Sequence, residues 1–151
     1  MRIVLQRVGR ASVDVDGETT GAIDTGLLAL VGVADGDTEA DARAAAAKIA
    51  GMRIFPDDDR KMNRSIVDAG GAVLLVSQFT LLADVRKGRR PAFNTAARPE
   101  QAVPILEELA AAIEEEGVAV EHGRFGAYMK VELLNDGPVT IVFDVQDGRI
   151  A

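Results

Sequence analysis

The chain has 151 residues, 48% of them hydrophobic and 27% charged, with a formal net charge of −7 and no cysteine. That size and balance fit one globular domain, 1–151, with a core of its own. The lack of cysteine excludes thiol catalysis, disulfides and thiolate metal sites, and the net acidity weighs against a general nucleic-acid coat protein.

Near the start, Ile3-Val4-Leu5 is a short apolar run before polar residues return, so no signal peptide is expected. No apolar run along the chain has the length of a membrane span, and the expected location is the cytoplasm. Arg2 to Val8 alternates as a strand does, and Ala11 to Val15 reads as its partner. Asp16-Gly17 is a hairpin signal leading into Glu18 to Ile23. Leu27 to Val33 is continuously apolar, as in a strand buried on both faces. Thr38 then opens an alanine-rich helix to about Met52, with Asp41 in the capping-box position usually held by Glu or Gln.

Arg53-Ile54-Phe55 reads as a short strand and Pro56 to Lys61 as a loop. The aspartates at 57, 58 and 59 do not continue into a calcium loop, because Lys61 follows where an oxygen ligand and then glycine are needed. Ala72 to Val76 is a buried strand, and Ser77-Gln78-Phe79-Thr80-Leu81 leaves its end. Arg86-Lys87-Gly88-Arg89-Arg90 follows as a concentrated basic segment, either a solvated loop or a local contact for phosphates. Pro99 suits the first position of a helix to Glu116, ended by Gly117, with Val103, Leu106, Leu109, Ala110 and Ile113 as its apolar stripe. Pro104 lies in or near its first turn. Val118 to Glu121, Tyr128 to Leu134 and Val139 to Val145 complete the strands. The expected fold is α+β: a mostly antiparallel, barrel-like sheet with two main helices.

Between the last two strands stands Asn135-Asp136-Gly137-Pro138-Val139-Thr140. Proline cannot donate to a sheet ladder, so the run breaks or turns here. One reading is a hairpin turn, since these are turn residues. The other is a cis Gly137-Pro138 bond, which would aim two backbone carbonyls the same way as a rigid acceptor pair for an ammonium group.

Several chemistries are missing. There is no G-x-S-x-G elbow, no Walker loop and no dinucleotide glycine fingerprint. His122 is the only histidine, too little for an ordinary zinc site. A Ser-His-Asp triad would have to use it as base, although its place before Gly123-Arg124-Phe125-Gly126 reads as a surface connection. What remains are hydroxyls, backbone amides and the substrate itself. Backbone N–H groups around Ser77, Phe79 and Thr80 could converge on one oxygen. Thr80 could be a nucleophile, but no activating base lies near it in sequence. Phe79 and Leu81 can also be read as packing beneath the strand end.

Taken together, Gln6-Arg7-Val8, Lys61-Met62-Asn63, Val76 to Leu81, Arg86 to Pro91, Gly123 to Gly126 and Asn135 to Thr140 resemble the D-aminoacyl-tRNA deacylases of bacterial and eukaryotic type. The match covers nearly the whole chain. The resemblance implies a cofactor-free, metal-free ester hydrolase acting on tRNA that carries a D-amino acid or glycine. It implies a homodimer with active sites across the subunit interface. Gly137-Pro138 would be cis, reach into the partner's site and hold the substrate's amino group, with Arg7 fixing its orientation. The catalytic segment Ser77, Gln78, Phe79 and Thr80 would receive the terminal adenosine and the scissile ester, and Phe125 and Met129 would line the adenosine pocket. Arg86, Lys87, Arg89 and Arg90 would meet tRNA phosphates.

An L side chain would then collide with the Gly-Pro backbone, which is selection by rejection. Two positions depart from the family pattern: Leu82 stands where an aromatic is expected, and Tyr128 where an acidic residue is. Two rival readings remain. One is a related deacylase for L-aminoacyl-tRNA with a trans Gly-Pro, against which Arg7 argues. The other is a nucleic-acid-binding dimer without hydrolysis.

Overall fold

Arg2 to Val15 forms a single strand, β1, rather than a hairpin of two. The reason is local. Ile3 and Leu5 point to one face of the sheet and Ala11, Val13 and Val15 to the other, and an extra residue at Gly9 shifts the phase between them. One strand thus serves two cores.

The computed structural model describes residues 1–151. After β1 come β2 (Glu18–Ile23), β3 (Gly26–Gly32), α1 (Glu39–Gly51), β4 (Phe55–Pro56), β5 (Met62–Arg64), α2 (Ile66–Ala69) and β6 (Ala72–Ser77). A short 3-10 turn (Phe79–Leu82) leads on to α3 (Pro99–Glu115), β7 (Ala119–His122), β8 (Lys130–Gln146) and β9 (Arg149–Ile150). The main sheet runs β7-β6-β3-β1-β8-β9, with β2 paired to the far half of β1. Most pairings are antiparallel as expected, but β3–β6 and β6–β7 are parallel, each joined through a helix-containing crossover.

The sheet curls until β2 meets β7. A β-carbon on Gly21 would lie only 2.4 Å from the His122 carbonyl oxygen, so glycine is what lets the edges approach. The larger core lies outside the curl, where Leu27, Ala29, Val31 and Val73 meet Ala45 and Ile49 of α1 and Leu109 and Ile113 of α3. A smaller core lies inside it, around Val8, Val13, Leu28, Leu74 and Val76. Each fully buried Leu or Ile contributes about 2 kcal/mol.

α1 starts as its sequence predicts. The buried Asp41 carboxylate accepts from the Thr38 N–H at 2.8 Å and the Thr38 hydroxyl at 3.0 Å. It also accepts from Gly148 N–H at 2.9 Å, tying the helix start to the β8–β9 turn. α3 keeps the expected length, with Pro104 in its interior, and buries Leu109, Ala110 and Ile113 as expected, together with Ala102, Ile105 and Ala112. Val103 and Leu106 are only half-buried, because they face a surface cleft beside β7. The short α2, capped by Ser65, was not expected. The short strand falls at Phe55–Pro56 instead of Arg53 to Phe55, and the strand expected from Tyr128 begins at Lys130. No helix is long and apolar enough to cross a membrane.

Candidate active site

β6 is parallel to β3 as far as Ser77, and Gln78 N–H still donates to Val31 O at 2.8 Å. The chain then tightens into the 3-10 turn, whose first bond runs from Leu81 N–H to Gln78 O at 3.2 Å. The N–H groups of Phe79 and Thr80 come before that bond, so the turn gives them no acceptor. Phe79 does not pack beneath the strand end: it is 54% exposed, and its ring meets Phe93 edge-on at 5.1 Å.

This turn borders a cavity of about 750 Å³. Ser77, Gln78, Phe79 and Thr80 line one side, and Phe125 and Met129 another, so the structure brings six of the sequence-derived site residues together. Met129 is held by its sulfur, which accepts from Arg124 N–H at 3.4 Å. The cavity contains no carboxylate, histidine, lysine or arginine, and Tyr128 is its only ionisable side chain. Gln78 Nε2 donates to the Thr80 hydroxyl oxygen in a short contact. An amide donor cannot take a proton from that hydroxyl, so Thr80 has no base beside it. His122 is an exposed residue of β7 and does not line the cavity.

Sequence reasoning did not find Phe93, Ala96, Ala97, Pro99 and Ala102, which close the cavity from the loop before α3 and its first turn. These residues carry no local pattern. They arrive through tertiary contacts, the Ala34–Ala96 bridge and the bond from Asp35 N–H to Thr95 O at 2.8 Å.

Gly137 and Pro138 lie elsewhere. The expected break between two strands is instead a bulge inside β8. β1 advances from Gln6 to Val8 while β8 runs all the way from Thr140 to Asn135, so the intervening residues are pushed out of the ladder. The Gly137-Pro138 peptide is cis, and both residues are exposed. The base of the bulge is held firmly. Asn135 Nδ2 donates to Arg7 O at 2.9 Å and to Val139 O at 3.0 Å. Arg7, only 9% exposed, donates to Asp136 O at 3.1 Å and to Ile54 O at 2.7 Å. Its guanidinium also pairs with the Asp136 carboxylate at 3.4 Å. Neither Gly137 nor Pro138 lines the cavity of its own chain.

The basic segment is fully exposed and separate from the cavity. Arg86 is engaged by Asp84 at 2.6 Å, a hydrogen bond that raises the arginine's pKa and lowers the aspartate's. Lys87, Arg89 and Arg90 form none of the ion pairs. The Asp57 carboxylate accepts from Asp59 N–H, Lys61 N–H and Asn63 Nδ2 at 2.6–2.9 Å, as a turn-forming residue does. Those bonds, Asn63's foremost, hold its pKa below the ordinary value.

Residues 4–144 match the family model described as D-Tyr-tRNA(Tyr) deacylase. Proteins named D-aminoacyl-tRNA deacylase from Halalkalibacterium halodurans and Thermus aquaticus are each 57% identical over 144 residues. The alignment covers 95% of this chain in both cases, and 99% and 95% of the respective relatives. The relative of the same name from Koribacter versatilis is 58% identical, over 95% of this chain and 97% of its own. Among solved structures, one described as c-Myc DNA Unwinding Element Binding Protein superposes with a TM-score of 0.88 at 38% identity, over 95% of this chain and 98% of that one. Another, described as a "probable eukaryotic D-amino acid tRNA deacylase", shares the fold with a TM-score of 0.79 at 18% identity, over 94% and 97% of the two chains.

Proposed function

The chain belongs to the D-aminoacyl-tRNA deacylase family, a family of hydrolases acting on ester bonds, and from that premise we propose how its residues select and cleave the substrate. It hydrolyses the ester of D-aminoacyl-tRNA, and of glycyl-tRNA, to free tRNA and amino acid. The terminal adenosine enters the cavity against Phe125 and Met129, with the ester beside Ser77 to Thr80. A volume of about 750 Å³ suits a nucleoside carrying an amino acid.

The observation that carries the reading is the absence of any acid or base other than Tyr128 along that cavity. With no protein base beside the ester, the neighbouring ribose hydroxyl helps to activate water, already held in place by the substrate. The N–H groups of Phe79 and Thr80 stabilise the oxyanion as it forms. Thr80 forms no covalent bond.

Selection falls to the exposed backbone of Gly137 and Pro138. Their carbonyls hold the substrate's ammonium, leave a D side chain free and obstruct an L side chain. Glycine has no side chain to obstruct and passes. Because the bulge is exposed and absent from its own cavity, it acts in the cavity of a second copy, in a homodimer with a shared site. Lys87, Arg89 and Arg90, together with Arg86, meet the tRNA phosphates.

A second reading is favoured by one observation: the relative at 38% identity is described as a DNA-element-binding protein. In that case the chain would bind nucleic acid without hydrolysis. Deacylation time courses with D-Tyr-tRNA, L-Tyr-tRNA, L-Ala-tRNA and Gly-tRNA separate the readings. Loss of the D-Tyr and Gly esters alone is expected. Loss of the L-Ala ester with the D-Tyr ester intact would point to the L-specific deacylase, and no loss of any ester to the binding protein.

A further inference from the structure

A second, smaller cleft of about 150 Å³ opens beside the cavity, between α3 and the end of β7. Ser77 and Phe125 line both, so the two adjoin. The cleft differs in chemistry from its neighbour. Arg124 and His122 stand on one side and Glu107 on the other. Arg124 and His122 are both exposed, and neither takes part in an ion pair. The Arg124 backbone is fixed by its N–H bond to Met129 Sδ at 3.4 Å, which ties the guanidinium's origin to the cavity wall.

We propose that this cleft receives the phosphodiester joining the terminal adenosine to the penultimate nucleotide, with Arg124 as its contact. The assignment rests on the reading that adenosine fills the larger cavity. The cleft is smaller than the roughly 300–1,000 Å³ typical of ligand pockets, so it suits a compact charged group and not a second base. A guanidinium without a carboxylate partner is suited to bind phosphate in a bidentate way. His122 adds a ring N–H donor on the same side. Glu107 repels an anion from the α3 side and accepts from a ribose hydroxyl, which fixes the direction in which the strand leaves. Arg124 is a substrate-positioning contact and touches no reacting atom.

The test compares three D-tyrosyl esters: of adenosine, of the dinucleotide CpA, and of full-length tRNA. Wild type, Arg124→Ala and Arg124→Lys are assayed on each. Arg124→Ala should lower kcat/KM about tenfold on the CpA and tRNA esters, as loss of a charge-assisted hydrogen bond does, and leave the adenosine ester unchanged. Arg124→Lys should recover part of the loss. Activity on the adenosine ester also reports that the variant is folded. An equal loss on all three esters, or no loss on any, overturns the assignment while the deacylase reading stands. The same holds if Tyr128→Ala, and not Arg124→Ala, separates CpA from adenosine. A wild-type protein inactive on every ester overturns both.

Discussion

A β-carbon on Gly137 would stand 2.8 Å from Val139 Cγ2 and 3.0 Å from the Val139 nitrogen, at a φ of +132°. Only glycine fits that backbone without displacing its neighbours. Gly137→Ala is therefore expected to move the proposed gate rather than the fold. Single-turnover deacylation of D-Tyr-tRNA should fall on the order of 100-fold, as a misplaced contact group costs, while stability falls by only about 1–2 kcal/mol. Thr80 makes the opposite prediction. Its hydroxyl faces an amide donor and no base. Thr80→Ala should keep its single-turnover rate within about tenfold of wild type. Complete loss in a folded variant that still binds tRNA would make Thr80 the nucleophile. Arg7, which the resemblance implies orients Gly137-Pro138, bonds to the Asp136 carbonyl at the base of the bulge.

Among the elements, the α1 start carries a pH dependence. Burial pushes the Asp41 carboxyl up, but the bonds from Gly148 N–H, Thr38 N–H and the Thr38 hydroxyl outweigh it, and its pKa lies below the ordinary 3.8. A depressed folded value means the stabilisation is complete above the unfolded value and is lost as pH falls through the folded one. Asp41→Asn should cost about 1 kcal/mol at neutral pH, as loss of a capping residue does. Urea unfolding of both proteins should show that gap begin to close below about pH 4, the value of an unfolded Asp, and close further as pH falls through the lower folded value. This cap was readable because Thr38 and Asp41 are close in sequence. β8 was not readable as one strand: Asn-Asp-Gly-Pro is a turn signal, and only the pairing with β1 turns it into a bulge. The parallel pairings of β6 escaped notice for the same reason, being long-range. The α3 stripe was read correctly at Leu109, Ala110 and Ile113, whereas Val103 and Leu106, apolar and at helical spacing, border a cleft and are only half-buried.

At the scale of the molecule, the contiguous motifs were readable and the cavity that unites them was only partly so. Ser77 to Thr80 and Phe125 announce themselves in short segments, while Phe93 and Ala96 reach the cavity only through the folded loop. The proposed gate works between two chains. Gly137 and Pro138 project from a chain whose own cavity they do not line, so the account requires a second copy. In the proposed reading a protein of net charge −7 meets a polyanion through local groups of cations, the segment Arg86 to Arg90 and Arg124 at the cleft. Subunit complementation tests the shared site most directly. Gly137→Ala disables the gate, and Ala96→Trp fills the cavity. Each variant alone should be inactive. Refolded together in equal amounts, half the dimers are mixed, and one of the two sites in each mixed dimer pairs an intact cavity with an intact gate. Activity should return to about a quarter of the wild-type level. No recovery, with mixed dimers present, would mean that gate and cavity act within one chain, and would contradict the account.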